Sequence, residues 1–103
     1  MLTASELLVL AQEAPQDLKY WSSFVAQTEF TWLETNLVRD GERWQALWFE
    51  MEIVNGVALA EWEEEGSPQD WSNRWRAGYE QDARELVSEL LLLIYPSPAT
   101  ENH

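Results

Sequence analysis

Glu50 and Glu61 are the residues whose type and spacing could do chemistry. An Asn55-Gly56 dipeptide lies midway between them, and Asn-Gly is a strong short-range hairpin signal. A two-residue turn there sets Val54 against Val57, Ile53 against Ala58, Met51 against Ala60, Glu50 against Glu61 and Phe49 against Trp62. Opposed carboxylates raise one another's pKa and can divide acid and base roles. Retaining glycosidases hold two carboxyl groups about 5–5.5 Å apart, a separation that cross-strand neighbours approach. Glu52 and Glu63 fall on the same face. Like charges directly opposite destabilise a sheet, so such a face must be well solvated or meet a cation. A small sheet covered on one side offers little wall for a catalytic pocket, and an enzyme is not expected.

The other chemistries find less support. Glu61, Glu63, Glu64 and Glu65 are hard oxygen donors of the kind calcium and magnesium take, but no defined ligand spacing accompanies them and no histidine is near. No metal and no cofactor are expected. The serines stand in no G-x-S-x-G context, and the single histidine is His103 at the end of the chain, so a serine–histidine pair is not assembled. With no cysteine there is no thiol nucleophile and no disulfide, which suits a reducing, cytoplasmic compartment.

Aromatic and charged residues carry more information. The 103 residues include seven tryptophans and 19 acidic side chains against six basic ones, a formal net charge of −13. Such a charge opposes direct binding to nucleic acid or anionic lipid and favours basic protein partners. Hydrophobic residues make up 46% of the chain, which excludes the composition of a disordered segment. Bases stack on tryptophan in single-strand binders, but those proteins surround the ring with Lys and Arg. Trp62, Trp71, Trp75 and Trp21 read as core. Trp44 and Trp48, four apart, are expected outside the sheet core, where tryptophan serves as a contact anchor.

These residues need elements to position them. Thr3 and Glu6 match a capping box, with Leu2 and Leu7 as a hydrophobic staple, and Pro15 stops that first helix near Ala14. Pro15 can open a second helix with Asp17 in its first turn and Leu18, Trp21 and Val25 on one face. Phe30 to Val38, Arg43 to Val54 and Val57 to Glu64 read as three strands, separated by Asp40-Gly41 and Asn55-Gly56. Leu47, Phe49, Met51, Ile53, Ala58, Ala60 and Trp62 then share an apolar inner face. Trp48, Glu50, Glu52, Val54, Val57, Leu59, Glu61 and Glu63 share the outer one. The loop length at Asp40-Gly41 decides which face Trp32 occupies. Ser67-Pro68 reads as N-cap and first residue of a long helix ending near Ile94 before Pro96, with Gly78 as an irregularity inside it.

The expected fold is therefore α+β: one or two N-terminal helices, a three-stranded antiparallel β-meander, and a long C-terminal helix packed on one sheet face. Residues 1–95 form one domain and 96–103 a flexible tail. The apolar run Leu90 to Tyr95 is too short to span a bilayer, and no basic region precedes the N-terminal apolar residues as a secretory signal would require.

The expected function is that of a small acidic, non-enzymatic binding module. Trp44, Trp48, Glu50, Glu52, Glu61, Glu63, Glu64 and Glu65 would contact a basic partner, including a nucleic-acid-binding protein whose groove the carboxylates would occupy in place of phosphates. Immunity proteins that neutralise nuclease toxins, and phage-encoded inhibitors, share this balance of charge and aromatics as an analogy of composition. The alternative is a small chaperone or assembly subunit that forms a homodimer through Leu92 and Leu93, with the acid serving solubility alone.

Overall fold

The computed structural model describes residues 3–95, and these build an all-helical protein. Helix α1 spans Ala4–Glu13, α2 Leu18–Thr28, α3 Gly41–Glu64, α4 Ser72–Gly78 and α5 Glu80–Leu91. Short 3₁₀ turns at Ala14–Gln16 and Thr31–Leu33 flank α2. The α+β fold with a three-stranded meander is overturned. Among the described residues there is no strand, and the one antiparallel bridge joins Val38 to Ile94.

The N-terminal helices follow from local chemistry. Thr3 Oγ1 accepts from the Glu6 amide at 3.1 Å, and Glu6 Oε1 accepts from the Thr3 amide at 2.9 Å, closing the capping box. Leu7 is buried, while Leu2, its expected staple partner, lies outside the described residues. Pro15 lacks the amide that would continue α1, and the chain tightens into the 3₁₀ turn. Asp17 then caps α2, its Oδ1 accepting from the Tyr20 amide at 2.9 Å. Leu18, Trp21, Phe24, Val25 and Thr28 form the buried face of α2.

The three expected strands resolve differently. Phe30 to Val38 holds a 3₁₀ turn and the lone bridge residue. The second and third expected strands are one continuous helix, α3, and both hairpin signals have other uses. Asp40 is the N-cap of α3, its Oδ1 accepting from the Arg43 amide at 3.1 Å. Gly41 opens the helix where the Trp32 carbonyl and ring lie 3.6–3.7 Å from the position a Cβ would take. Asn55 faces inward in mid-helix, its Oδ1 accepting from Ser22 Oγ at 2.5 Å. Gly56 faces open space, so neither crowding nor backbone conformation demands it. A helix-interior glycine costs about 1 kcal/mol relative to alanine, less than burying the inner face of α3 returns. Trp44, Leu47, Met51, Asn55 and Ala58 are the buried positions, a three- and four-residue spacing that the strand-like alternation of Phe49, Met51 and Ile53 hides.

The C-terminal helix begins later than expected and is broken. Gly66, at a φ of 91°, ends α3 in the left-handed conformation that favours glycine. Ser67, at a φ of 52°, continues the reversal and is no N-cap. Pro68 lies in the loop and its carbonyl accepts from Trp62 Nε1 at 2.8 Å. Asp70 Oδ1 accepts from the Ser72 amide at 3.1 Å and from its hydroxyl where α4 starts. The helix breaks at Gly78–Tyr79 into α4 and α5. After α5 the chain turns back, the Arg39 amide donating to the Leu93 carbonyl at 2.8 Å and the Tyr95 amide to the Leu37 carbonyl at 3.0 Å. The tail expected over 96–103 lies outside the described residues.

Indoles tie these helices together. Trp21, Trp44 and Trp75 are wholly buried, and each Nε1 donates to a main-chain carbonyl: Met51 at 3.2 Å, Thr28 at 3.3 Å and Pro15 at 2.8 Å. Half-buried Trp48 donates to the Val25 carbonyl at 2.8 Å. A buried indole N–H needs an acceptor, and carbonyls near helix ends and in turns supply those made by Trp44 and Trp75. The result is a core in which α3 packs against both α2 and α5.

Candidate functional site

The structure disperses the residues expected to form one patch. Trp44 is 0% exposed and belongs to the core. Trp48 is half-buried against α2, its N–H already used. The expectation that both stand outside the core rested on the sheet, and helical geometry turns them inward. Glu50 and Glu61 stand on one helix about 16 Å apart along its axis, so the acid–base pair that cross-strand pairing would create is not formed. Glu61 and Glu65 are both held by Arg74, at 3.2 Å and 2.9 Å. Trp71 Nε1 also donates to Glu65 at 2.8 Å. The Arg74 guanidinium first, and the Trp71 indole second, hold the Glu65 carboxyl below its ordinary pKa. Arg74 in turn is raised above its ordinary value, chiefly by Glu65. Glu63 and Glu64 project from the last turn of α3 into solvent, and Glu52 is half-buried.

Glu50 is the expected site residue that the fold places in a different constellation. It lines a groove of about 380 Å³ between α3 and α5, together with Asp82, Glu85 and Glu89. Ile53, Val54 and Leu86 supply its apolar lining. Asp82, Glu85 and Glu89 follow three- and four-residue spacing on α5, which puts three like charges on one stripe. Such pairs lower helix stability, and Glu50 adds a fourth charge from across the groove. Arg43 supplies the one cation paired here among the described residues, 3.1 Å from Glu89. Gln81 Nε2 donates to Glu85 at 3.3 Å, a neutral partner.

Beside the groove, α3 presents an apolar stripe to solvent. Phe49, Ile53 and Val57 recur every four residues and are 61%, 50% and 51% exposed. Phe49 and Ile53 were expected in the core and Val57 outside it; the helix puts all three outside. Ile53 belongs to both features, so stripe and groove are continuous. This is the constellation that sequence reasoning missed. Its signal was present in the 49-53-57 and 82-85-89 spacings, but reading it required knowing that both segments are helical.

A second concavity, of about 760 Å³, lies between the start of α2, the end of α3 and the 67–72 loop. Tyr20, Leu59, Trp62 and Trp71 line it. The indole N–H groups of Trp62 and Trp71 are spent on Pro68 and Glu65, which fastens the loop and leaves no polar donor of either ring for a ligand.

Leu92 is 73% exposed and Leu93 half-buried just beyond α5. Among the described residues, no group of three His, Asp or Glu side chains is arranged to hold a metal ion, and no helix is long and apolar enough to cross a membrane. No protein-family model, no curated protein and no solved structure matches the chain. What the site can do chemically therefore rests on its own geometry: an open, anionic groove with apolar side chains in its lining suits a cationic group carried on an apolar body.

Proposed function

We propose that this chain is a small acidic, non-enzymatic binding module that docks on a basic protein and occludes its working surface. The supporting observation is the α3/α5 groove, in which Glu50, Asp82, Glu85 and Glu89 meet from two helices with Arg43 as their one paired cation among the described residues. An isolated protein loses stability by holding like charges together, and a basic partner would relieve that loss. Asp82, Glu85 and Glu89 rise about 4.5 and 6 Å along the α5 axis. Phosphates along one DNA strand rise about 3.4 Å each, so the anionic spacing is of the same order. A partner that ordinarily grips nucleic acid is thus the fitting class of target, and an inhibitor is the fitting role. The cysteine-free chain suits a cytoplasmic setting.

Association would be steered by charge and completed by apolar contact. The rate of association with a partner captured from the native host at low salt should fall steeply as salt is added, with the dissociation rate changing less. Neutralising Asp82, Glu85 and Glu89 together should slow association in the same way. A salt-insensitive association rate would overturn the proposal.

Exposed Leu92 supports a second reading, an assembly subunit joined through the end of α5. A homodimer by light scattering that Leu92→Asp converts to monomer would favour it.

A further inference from the structure

We infer that the occupant of the α3/α5 face is an amphipathic helix of the partner protein, apolar on one side and rich in Lys and Arg on the other. This rests on the binding-module reading above and adds the shape and chemistry of what is bound.

Phe49, Ile53 and Val57 cover two turns of α3, about 12 Å of axis. A helix lying alongside presents anchors at i, i+3 or i+4, and i+7, which span a similar length. Ala46, Gly56 and Ala60 are also exposed on α3, so low side chains interrupt the surface around the larger three. Those larger side chains are each at least half exposed, and Ile53 also lines the groove toward α5. Charge decides which helix fits. Glu50, Asp82, Glu85 and Glu89 lie on the α5 side of the stripe. Exposed Glu42 and Glu64 lie near the two ends of α3. A second copy of this chain would bring the same carboxylates against themselves, with −13 on each partner. An anionic membrane is repelled for the same reason. A cationic peptide without an apolar side would satisfy the carboxylates and leave Phe49, Ile53 and Val57 wet. An amphipathic basic helix satisfies both features at once.

The test uses two labelled probe peptides of equal length, one an amphipathic Leu/Lys helix and the other oligolysine. Binding is read by fluorescence anisotropy to the full chain and to the Phe49→Ser/Ile53→Ser double variant. Both replaced side chains are exposed, so far-UV circular dichroism and Tm should match the wild type and certify folding. The expected result is that the Leu/Lys peptide binds the wild type at least ~10-fold more tightly than oligolysine, and that the double variant loses about tenfold or more for the Leu/Lys peptide alone. Equal, salt-sensitive binding of both peptides, unchanged in the variant, would overturn the inference while leaving the acidic binding module standing. Failure of both peptides to bind at low salt would remove the inference and the function together. A wild-type dimer that the double variant dissolves would also overturn the inference, since the occupant would then be a second copy.

Discussion

The two sides of α3 share a composition and differ in fate. Inward, Trp44, Leu47, Met51 and Ala58 are sealed, and the one polar residue among them, Asn55, is matched to Ser22. Outward, Phe49, Ile53 and Val57 are as apolar and at least half exposed. The inner side satisfies every demand of a core: apolar volume is filled, and no buried side-chain N or O atom of the described residues lacks a hydrogen-bond partner. The outer side satisfies none of them. The exposed apolar stripe lies among the carboxylates of α3, and a contiguous exposed apolar patch rimmed by polar residues marks a contact surface. The comparison separates what holds the fold from what is left over for a partner.

Mutations on the two sides should separate just as cleanly. Trp44→Ala removes a wholly buried indole and leaves the Thr28 carbonyl without that donor, so chemical denaturation should show a loss of about 3–5 kcal/mol. Ser22→Ala takes the hydroxyl from Asn55 Oδ1, and the loss should be about 1–3 kcal/mol by the same measurement. Gly66→Ala forces a side chain onto a left-handed residue and should cost ~1–2 kcal/mol, with the helix end fraying in hydrogen exchange. Phe49→Ala should change stability by no more than about 0.5 kcal/mol, the range of ordinary surface substitutions. A large loss at Phe49 would mean that the outer side is covered within the chain, and the comparison would break.

The smallest expected effect is in pH dependence. Glu65 is held below its ordinary pKa by Arg74 and then Trp71, so its charged form is favoured in the folded state. That contribution is fully present above the ordinary glutamate value and is lost as pH falls through the lowered folded value. Thermal unfolding of Glu65→Gln should therefore lie slightly below the wild type at neutral pH and converge with it in acid. Curves that stay parallel down to the acid limb would show that the contact contributes nothing.

How much of this was legible in the residues depends on how many meanings each local signal has. Thr3 with Glu6 closes a capping box that has one physical reading, and the spacing of Leu18, Trp21 and Val25 points to the helix that forms although Tyr20 to Phe24 also has the aromatic character of a strand. Pro15 ends α1 as expected, though Asp17 rather than the proline begins α2. Asp40-Gly41 and Asn55-Gly56 have two readings. An Asp side chain caps a helix as readily as it makes a turn, as Asp40 does toward the Arg43 amide, and Asn55 is held in mid-helix by a partner far away in the chain, Ser22. Ser67-Pro68 carries a helix-start signal, yet the reversal at Gly66 and Ser67 consumes those residues before a helix can begin. The break in the last helix falls at Gly78–Tyr79, where glycine interrupts an otherwise helical pattern. Once the strands are exchanged for α3, the faces exchange with them. Glu50 kept a place in the candidate site, Trp44 left it, and Asp82, Glu85 and Glu89 entered it because only the packing of α5 on α3 brings them opposite Glu50.

Two isoleucines make the central contrast directly observable. Ile53 stands on the open side of α3, and Ile94 is buried at the bridge to Val38. With both δ1 methyl groups carbon-13 labelled, titration with the amphipathic Leu/Lys peptide should shift and broaden the Ile53 signal while the Ile94 signal holds its position. A titration that moves Ile94 and leaves Ile53 still would place the contact elsewhere and contradict an open, partner-seeking side of α3.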